Sequence, residues 1–169
     1  MRVFVTGTGR CGTTTFSKAC SIFKNLTCSH ESQSSHNNLK YKDNHIEVDP
    51  RLFWHLPNLI EKYPDALFIH LQRDRESCVG SLEKRPSLKN YALFTEAIIP
   101  STYNRRESAE KYYDFCTKFV DCILTTAKNS RKITLIPTTE VWKDFCSYVG
   151  EEEMFDVSYK YWTLKYNKS

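Results

Sequence analysis

A glycine loop near the start of the chain, G-T-G-R-C-G at residues 7–12, has the spacing of a phosphate-binding loop. Its first and last glycines stand as in the pattern G-x-x-x-x-G-K-[ST]. Thr13 occupies the lysine position of that pattern, and Thr14 occupies the Ser/Thr position. Because the lysine reaches the terminal phosphates in ATP and GTP enzymes, its absence argues against that chemistry. Backbone N–H groups at the start of a helix can still bind a phosphate.

Arg10 supplies a positive charge inside this loop, two residues before Gly12. A guanidinium at this position can contact a bound phosphate and its transferring group without a metal ion. A magnesium site would also need an acidic residue at the end of a later strand. The next good strand instead ends in the sequence Gln-Arg-Asp at 72–74. Two features therefore disfavour magnesium-dependent phosphoryl transfer.

The loop resembles the 5'-phosphosulfate loop of the sulfotransferase family, whose cofactor is 3'-phosphoadenosine 5'-phosphosulfate (PAPS). In that family an Arg or Lys precedes the residues Ser, Gly, Thr and Thr. Cys11 replaces the serine here, which removes a hydroxyl but leaves the backbone cradle. The resemblance implies that Arg10 stabilises the leaving phosphate oxygen. It assigns the following residues to the 5'-phosphosulfate: Gly9, Arg10, Cys11, Gly12, Thr13, Thr14 and Thr15.

A second motif of the family lies downstream. The family binds the 3'-phosphate of its cofactor with an arginine at a strand end and a serine eight residues later on the next helix. Arg73 follows the apolar run LFIHLQ, and Ser81 stands eight residues after it. An arginine gives charge-assisted contacts to a phosphate, and a serine adds a neutral donor. Arg85, one helical turn beyond Ser81, is expected to face the same way and to add charge.

The resemblance also implies a general base on a segment that folds back over the loop. Glu31 lies 21 residues after Arg10, where related branches of the family place a catalytic glutamate. His30 is the second candidate, because cytosolic branches use histidine. His36 and His45 remain further alternatives, whereas His70 lies in a strand and is expected to be structural.

The resemblance predicts a PAPS-dependent sulfotransferase that acts on a hydroxyl or amine of a small molecule, carbohydrate or lipid. The products would be a sulfate ester and 3',5'-adenosine bisphosphate, and no metal is required. The aromatic stretch at 91–103 is a candidate lining for the acceptor. Two alternatives stay open: a non-catalytic nucleotide-binding module, which the cysteine in the loop favours, and a nucleotide kinase with a degenerate loop.

Three apolar runs predict strands around this loop: RVFVTG at 2–7, ALFIHLQR at 66–73 and KITLIP at 132–137. The segment 25–44 is polar and poorly periodic, so it is expected to be a loop. Asp49 before Pro50 indicates the start of a helix that Pro57 kinks or restarts. Thr139 is the expected cap of a late helix that stops at Gly150. Helices are expected at 13–23, 76–83, 106–128 and 139–149, with a short helix near the end.

Strands that alternate with helices predict an α/β fold, a three-layer P-loop-type domain with a small, mostly parallel sheet. The 169 residues fit one domain spanning 1–169. A formal charge of +4 suits an anionic cofactor and is too small to indicate nucleic-acid binding. Seven cysteines without a C-x-x-C pair favour neither a disulfide framework nor a zinc site. With no apolar span and a first strand at Arg2, the expected location is the cytoplasm.

Overall fold

The structure, a computed structural model, describes residues 1–33, 39–85, 104–134 and 138–164. Within these ranges, the 3-10 helices Pro50–His55 and Glu152–Met154 accompany the strands and α-helices. The strands are β1 (Arg2–Thr6), β2 (Thr27–His30), β3 (His45–Val48), β4 (Leu67–Gln72) and β5 (Ser130–Thr134). The α-helices are α1 (Thr13–Cys20), α2 (Leu56–Lys62), α3 (Arg75–Glu83), α4 (Arg105–Leu124), α5 (Thr139–Tyr148) and α6 (Phe155–Thr163).

The strands form one parallel sheet in the order β2-β3-β1-β4-β5. β1 occupies the centre: its Val3 pairs with Ile46 of β3 on one side and with Leu67 of β4 on the other. A five-stranded parallel sheet flanked by helices confirms the predicted α/β class. Parallel strands need helical crossovers, and the alternation of strands and helices in the sequence provides them.

Two apolar clusters cover the two faces of the sheet. Successive side chains of a strand point to opposite faces, so Val3 and Val5 belong to one cluster and Phe4 to the other. The first cluster packs the sheet against α1, α5 and α6, with the rings of Trp142 and Trp162 stacked at 4.9 Å. The second packs the sheet against α2, α3, α4 and the 3-10 helix at 50–55. Helices therefore lie on both faces.

The connections that follow β1 and β4 leave the sheet on opposite sides. α1 follows β1 and buries Phe16 in the first cluster, whereas α3 follows β4 and buries Val79 in the second. In open α/β sheets, a crevice forms at the carboxyl ends of two neighbouring strands whose connections diverge in this way, and ligands bind there. The glycine loop after β1 and Arg73 after β4 flank this crevice.

The expectation of a loop at 25–44 is wrong in part, because β2 lies within it. β3 was also not anticipated. Each of these strands is only four residues long, and T-C-S-H in β2 and H-I-E-V in β3 lack the apolar run of a central strand. β2 is an edge strand without a fully buried residue, so it needs little hydrophobicity.

The helices agree more closely with the sequence. Asp49 caps the 3-10 helix by accepting a hydrogen bond from the Arg51 N–H, and a new helix begins at Leu56 beside Pro57. Gly150, with a φ of 74°, follows α5 as expected. The cap of α5 is Thr138 rather than Thr139, because its hydroxyl accepts from the Val141 N–H.

Gly7 is the position where the turn from β1 into the loop tolerates no side chain. A Cβ built on Gly7 would lie 2.2 Å from the carbonyl oxygen of Leu71 in β4 and 2.9 Å from the sulfur of Cys11. We therefore expect Gly7→Ala to lower the free energy of unfolding by about 1–3 kcal/mol, since the contact with backbone cannot be relieved by a rotamer change. Urea denaturation followed by tryptophan fluorescence measures this change.

Gly80 provides the matched control. It lies inside α3, and a Cβ there would meet nothing within 4 Å. Gly80→Ala should raise the free energy of unfolding by about 0.5–1 kcal/mol, because alanine has the better helix propensity. Equal effects of the two substitutions would contradict the close approach of β1 and β4 at Gly7.

Candidate active site

The glycine loop uses left-handed backbone at two positions before α1. Gly12 has a φ of 102° and Arg10 a φ of 71°. The carbonyl oxygen of Thr8 accepts the N–H of Cys11 at 3.3 Å, which closes the turn. α1 then starts without a side-chain cap and without an acidic residue in its first turn. The partial positive charge at this helix N-terminus is therefore not offset by a carboxylate of the turn.

Helix α3 holds the loop from the other side of the crevice through Cys78. This buried thiol donates a hydrogen bond to the carbonyl oxygen of Gly9 at 3.4 Å and lies 3.2 Å from the hydroxyl of Thr8. Burial raises the pKa of Cys78, so the group remains a neutral thiol. The loop conformation thus depends on α3 as well as on its own glycines.

Arg10, Arg73 and Ser81 meet at this crevice although they are far apart in the sequence. The Arg10 Nε donates to the Ser81 hydroxyl at 2.8 Å, across 71 positions. One terminal nitrogen of Arg73 donates to the Arg10 carbonyl oxygen at 3.4 Å, across 63 positions. The structure therefore brings together three residues that the sequence assigned to the phosphates of one ligand. All three side chains are partly exposed.

Tyr113 of α4 fixes the position of Arg73, and sequence reasoning missed it. Its hydroxyl donates to the Arg73 carbonyl oxygen at 3.0 Å, and burial raises its pKa. Tyr113 lies within the helix predicted at 106–128, and the sequence assigned its hydroxyl no role. A contact across 40 positions leaves no signal in the pattern of one helix.

Cys11 turns its side chain into the apolar cluster under α1 and is fully buried. Burial and the nearby Cys78 raise the pKa of its thiol well above the ordinary range. This side chain packs as a small apolar group against Gly7. A serine at the same place would have to bury a hydroxyl, which accounts physically for the cysteine.

The three threonines after the loop differ in exposure. Thr13 and Thr15 are 7% and 6% exposed, whereas Thr14 is half-buried. Among the three hydroxyls, that of Thr14 is thus the best placed to reach a ligand. Arg85 is exposed and follows α3 by two residues, since the helix ends at Glu83, and its contact with a phosphate stays a prediction.

Glu31 and His30 lie at the carboxyl end of β2, on the same edge of the sheet as the loop. The Glu31 backbone has a φ of 54°, and its N–H donates to the Val48 carbonyl oxygen at 3.1 Å. Its side chain is 43% exposed, with one oxygen 3.9 Å from the His30 Nε2 and the other 3.6 Å from an Arg51 nitrogen. Within the described ranges, the buried Nε2 of His30 has no hydrogen-bond partner.

Two strand spacings separate Glu31 from the loop. Because β3 lies between β2 and β1, the ends of β2 and β1 are roughly 10 Å apart. The loop side of this gap carries the guanidinium groups of Arg10 and Arg73, and the β2 side carries the carboxylate of Glu31. A carboxylate can take a proton from a bound group, and guanidinium groups can stabilise negative charge that develops near them.

Glu47 and Ser32 anchor the segment around Glu31, and the sequence did not indicate either. The fully buried Glu47 carboxylate accepts from the Ser32 N–H at 2.9 Å and from the Ser32 hydroxyl, and His45 contacts it at 3.4 Å. Burial would raise the pKa of Glu47, but the hydrogen bonds from His45 and Ser32 outweigh burial and lower it.

The remaining histidine candidates have structural partners or lie elsewhere. His45 contacts the Thr27 hydroxyl and Glu47 with its two ring nitrogens. His70 is buried 2.7 Å from an Asp121 oxygen, and burial lowers its pKa, which confirms its expected structural position. His36 and the aromatic stretch at 91–103 lie outside the described residues.

Comparison with known proteins assigns no family to the chain: no protein-family model matches it, and no curated protein is similar to it. Within the residues that the structure describes, no helix is both long enough and apolar enough to cross a membrane. The function must therefore be inferred from the geometry of the residues themselves.

The lowered pKa of Glu47 predicts acid sensitivity of this region. The unfolded chain takes up a proton near the ordinary glutamate pKa of about 4.3, whereas folded Glu47 resists protonation until lower pH. Its contribution to stability is thus present above pH 4.3 or so and is lost as the pH falls further. We expect the free energy of unfolding to fall less steeply below that pH in Glu47→Gln than in the natural protein.

Urea unfolding from neutral pH down to about pH 3 tests this expectation. Glu61→Gln is the control, since Glu61 lies exposed on α2. A Glu47→Gln variant with the same pH dependence as the natural protein would show that Glu47 does not hold the Glu31 segment as a carboxylate.

Proposed function

We propose that the protein is a PAPS-dependent sulfotransferase of the P-loop type. It would transfer the sulfuryl group of PAPS to a hydroxyl or amine of a small molecule, carbohydrate or lipid. The observation that carries this proposal is the convergence of Arg10, Arg73 and Ser81 on the crevice between β1 and β4. Two guanidinium groups beside a glycine loop and a helix N-terminus favour a ligand with more than one phosphate-like group.

The residues of the crevice fit this cofactor in type and position. The backbone of Gly9 and Gly12, the half-buried Thr14 and the start of α1 would hold the 5'-phosphosulfate. Arg73 and Ser81 would hold the 3'-phosphate. PAPS supplies a sulfuryl group joined to a phosphate leaving group. The hydrogen bond from Arg10 to Ser81 supports the view that the two phosphate sites adjoin.

The reaction assigns one task to the glycine loop and another to Glu31, which lies across the gap between the ends of β1 and β2. An acceptor hydroxyl gives its proton to the Glu31 carboxylate as its oxygen forms a bond to sulfur. The bond between sulfur and the 5'-phosphate oxygen breaks, and its electron pair stays on that oxygen. Arg10 stabilises this developing charge by a charge-assisted hydrogen bond. The products are a sulfate ester, or a sulfamate from an amine, and 3',5'-adenosine bisphosphate.

The alternatives differ from this proposal in the ligand that the protein binds and in whether the protein catalyses a reaction. A nucleotide kinase would bind ATP in a magnesium-dependent way, for which the loop lacks the lysine. A non-catalytic module would bind the bisphosphate without transferring sulfate from PAPS. The buried orientation of Cys11 weakens the argument for the module, since a loop serine would also have to point into the core.

The proposed 3'-phosphate site predicts a preference between two nucleotides. We expect 3',5'-adenosine bisphosphate to bind about 10- to 100-fold more tightly than AMP, because Arg73 and Ser81 contact only the extra phosphate. Arg73→Ala and Ser81→Ala should reduce this ratio towards one. Isothermal titration calorimetry of the two nucleotides measures it.

Arg131→Ala is a matched control for the loss of one positive charge. Arg131 lies on β5 and places its guanidinium 4.3 Å from the ring of Tyr148. Its removal should leave both affinities unchanged. Equal affinities for the bisphosphate and AMP in the natural protein would contradict the proposed 3'-phosphate site, and tight magnesium-dependent binding of ATP would favour a kinase.

Transfer itself is tested with labelled PAPS and a panel of glycans, lipids, phenols, amines and peptides. With an acceptor that takes the label, Arg10→Ala and Glu31→Gln should each lower kcat by about 10²- to 10⁴-fold. The first substitution removes stabilisation of the charge on the leaving group, and the second removes the group that accepts the proton. Lys128→Ala, which removes an exposed ion pair with Asp65, should leave kcat unchanged. Binding of the bisphosphate without label transfer to any acceptor would favour the non-catalytic module.

A further inference from the structure

Arg51 bridges two carboxylates at the carboxyl ends of β2 and β3. Its Nε and one Nη donate to the two oxygens of Asp49 at 3.1 and 3.0 Å. The same Nη donates to the Glu31 carbonyl oxygen at 3.3 Å and lies 3.6 Å from the Glu31 carboxylate. One guanidinium thus contacts both the backbone and the side chain of the proposed base.

Asp49 connects this guanidinium to the central strand. Its side chain is fully buried, and its N–H donates to the Val5 carbonyl oxygen at 3.0 Å. The next residue, Pro50, accepts from the Thr6 hydroxyl at 3.2 Å. Val5 and Thr6 are the last residues of β1 before the glycine loop. The segment that carries Arg51 is therefore hydrogen-bonded to β1, the strand that leads into the glycine loop.

Other contacts fix the backbone around Glu31 but not its carboxylate. The Glu31 N–H bonds to Val48, and Ser32 bonds to the buried Glu47. A half-exposed glutamate retains rotamer freedom even where its backbone is held, and confining it has an entropic cost. Of the contacts described, those of Arg51 and His30 reach the carboxylate itself.

We propose that Arg51 is a positioning residue that holds the Glu31 carboxylate towards the gap between the end of β2 and the glycine loop, an inference that rests on the proposed role of Glu31 as base. The base must lie within hydrogen-bond distance of the proton that it removes. Arg51 takes no proton in this scheme: the acceptor proton goes to Glu31, and the guanidinium stays charged throughout. The series of contacts from β1 through Asp49 and Arg51 determines the position of the Glu31 carboxylate relative to the glycine loop.

Arg51→Lys tests this role while keeping the charge beside buried Asp49. A lysine is a compact point charge without a planar fork, so it cannot hold both carboxylates in the same way. We expect kcat to fall about 10- to 100-fold, as misplacement of a reacting group does. The affinity for 3',5'-adenosine bisphosphate should stay within about twofold of the natural protein, because Arg51 lies apart from the phosphate contacts.

Arg2→Lys is the matched control. Arg2 also joins a carboxylate and a backbone carbonyl, since it contacts Asp43 at 2.9 Å and the Tyr41 carbonyl oxygen at 3.1 Å. It lies at the opposite end of β1 from the loop. Its replacement should change neither kcat nor the affinity for the bisphosphate.

A double-mutant cycle separates positioning from a general structural effect. If Arg51 acts through Glu31, Arg51→Lys in the Glu31→Gln background should cause no further loss of kcat. Asp49→Asn keeps a capping side chain but weakens the anchor of Arg51. It should lower kcat in the natural background and have no effect with Glu31→Gln, which gives a second test should Arg51→Lys fold poorly.

Hydrogen exchange provides a measurement that needs no acceptor. The Glu31 amide, bonded to Val48, should exchange faster in Arg51→Lys and at the natural rate in Arg2→Lys. Unchanged kcat and exchange in Arg51→Lys, or losses that multiply in the double variant, would overturn the positioning role alone. A natural protein that binds the bisphosphate but transfers label to no acceptor would overturn the proposed catalysis, and the role of Arg51 with it.

Discussion

The carboxyl end of β1 is the constraint on which the rest of the site depends. At this point the backbone of the central strand is held on both sides within three residues. The Val5 carbonyl oxygen accepts from the Asp49 N–H, and the Thr6 hydroxyl donates to Pro50. Gly7 then passes so close to the Leu71 carbonyl oxygen that no Cβ fits. The loop therefore starts from a strand whose two neighbours both determine its position.

The strands on the two sides of β1 bring groups of different charge to the carboxyl edge of the sheet. β4 and α3 supply Arg73, Ser81 and Cys78, which contact the loop through its Arg10, Gly9 and Thr8. The segments that follow β2 and β3 carry carboxylates, those of Glu31 and Asp49. This division follows from the sheet order, because β1 lies between the two pairs of strands. The proposed transfer reaction needs such a division, with cations where the leaving group gains charge and a carboxylate where the acceptor loses its proton.

The positively charged residues near the loop lie in segments whose local patterns are visible in the sequence. Gly7, Gly12 and Arg10 lie within one short segment, and Arg73 and Ser81 span a single strand-to-helix connection, so their relation is visible in the sequence. The same holds for Asp49 as a helix cap. Each of these features depends on residues that are fewer than ten positions apart. The geometry of the local backbone determines where such residues lie relative to one another.

The carboxylate side could not be predicted in the same way. Its supports run between elements: Arg51 to Glu31 across 20 positions and Ser32 to Glu47 across 15. The strands next to them are only four residues long, which is too short for hydrophobic periodicity to mark either strand. The Asp49 carboxylate has a second function beyond the cap, as the anchor of Arg51, and only the fold reveals it. Likewise, the inward orientation of Cys11 depends on the packing of α1.

Backbone strain at the two proposed catalytic residues links the two sides. Among the residues that the structure describes, three that are not glycine have a positive φ, namely Arg10, Glu31 and Asn44. Such conformations cost free energy and persist where surrounding contacts determine them. Arg10 is held through its carbonyl oxygen by Arg73, and Glu31 is held through its carbonyl oxygen by Arg51. In both cases, a guanidinium from the segment that follows a neighbouring strand maintains the strained residue. Each side chain is thereby placed by contacts that originate at the carboxyl edge of the sheet, which is where the crevice lies.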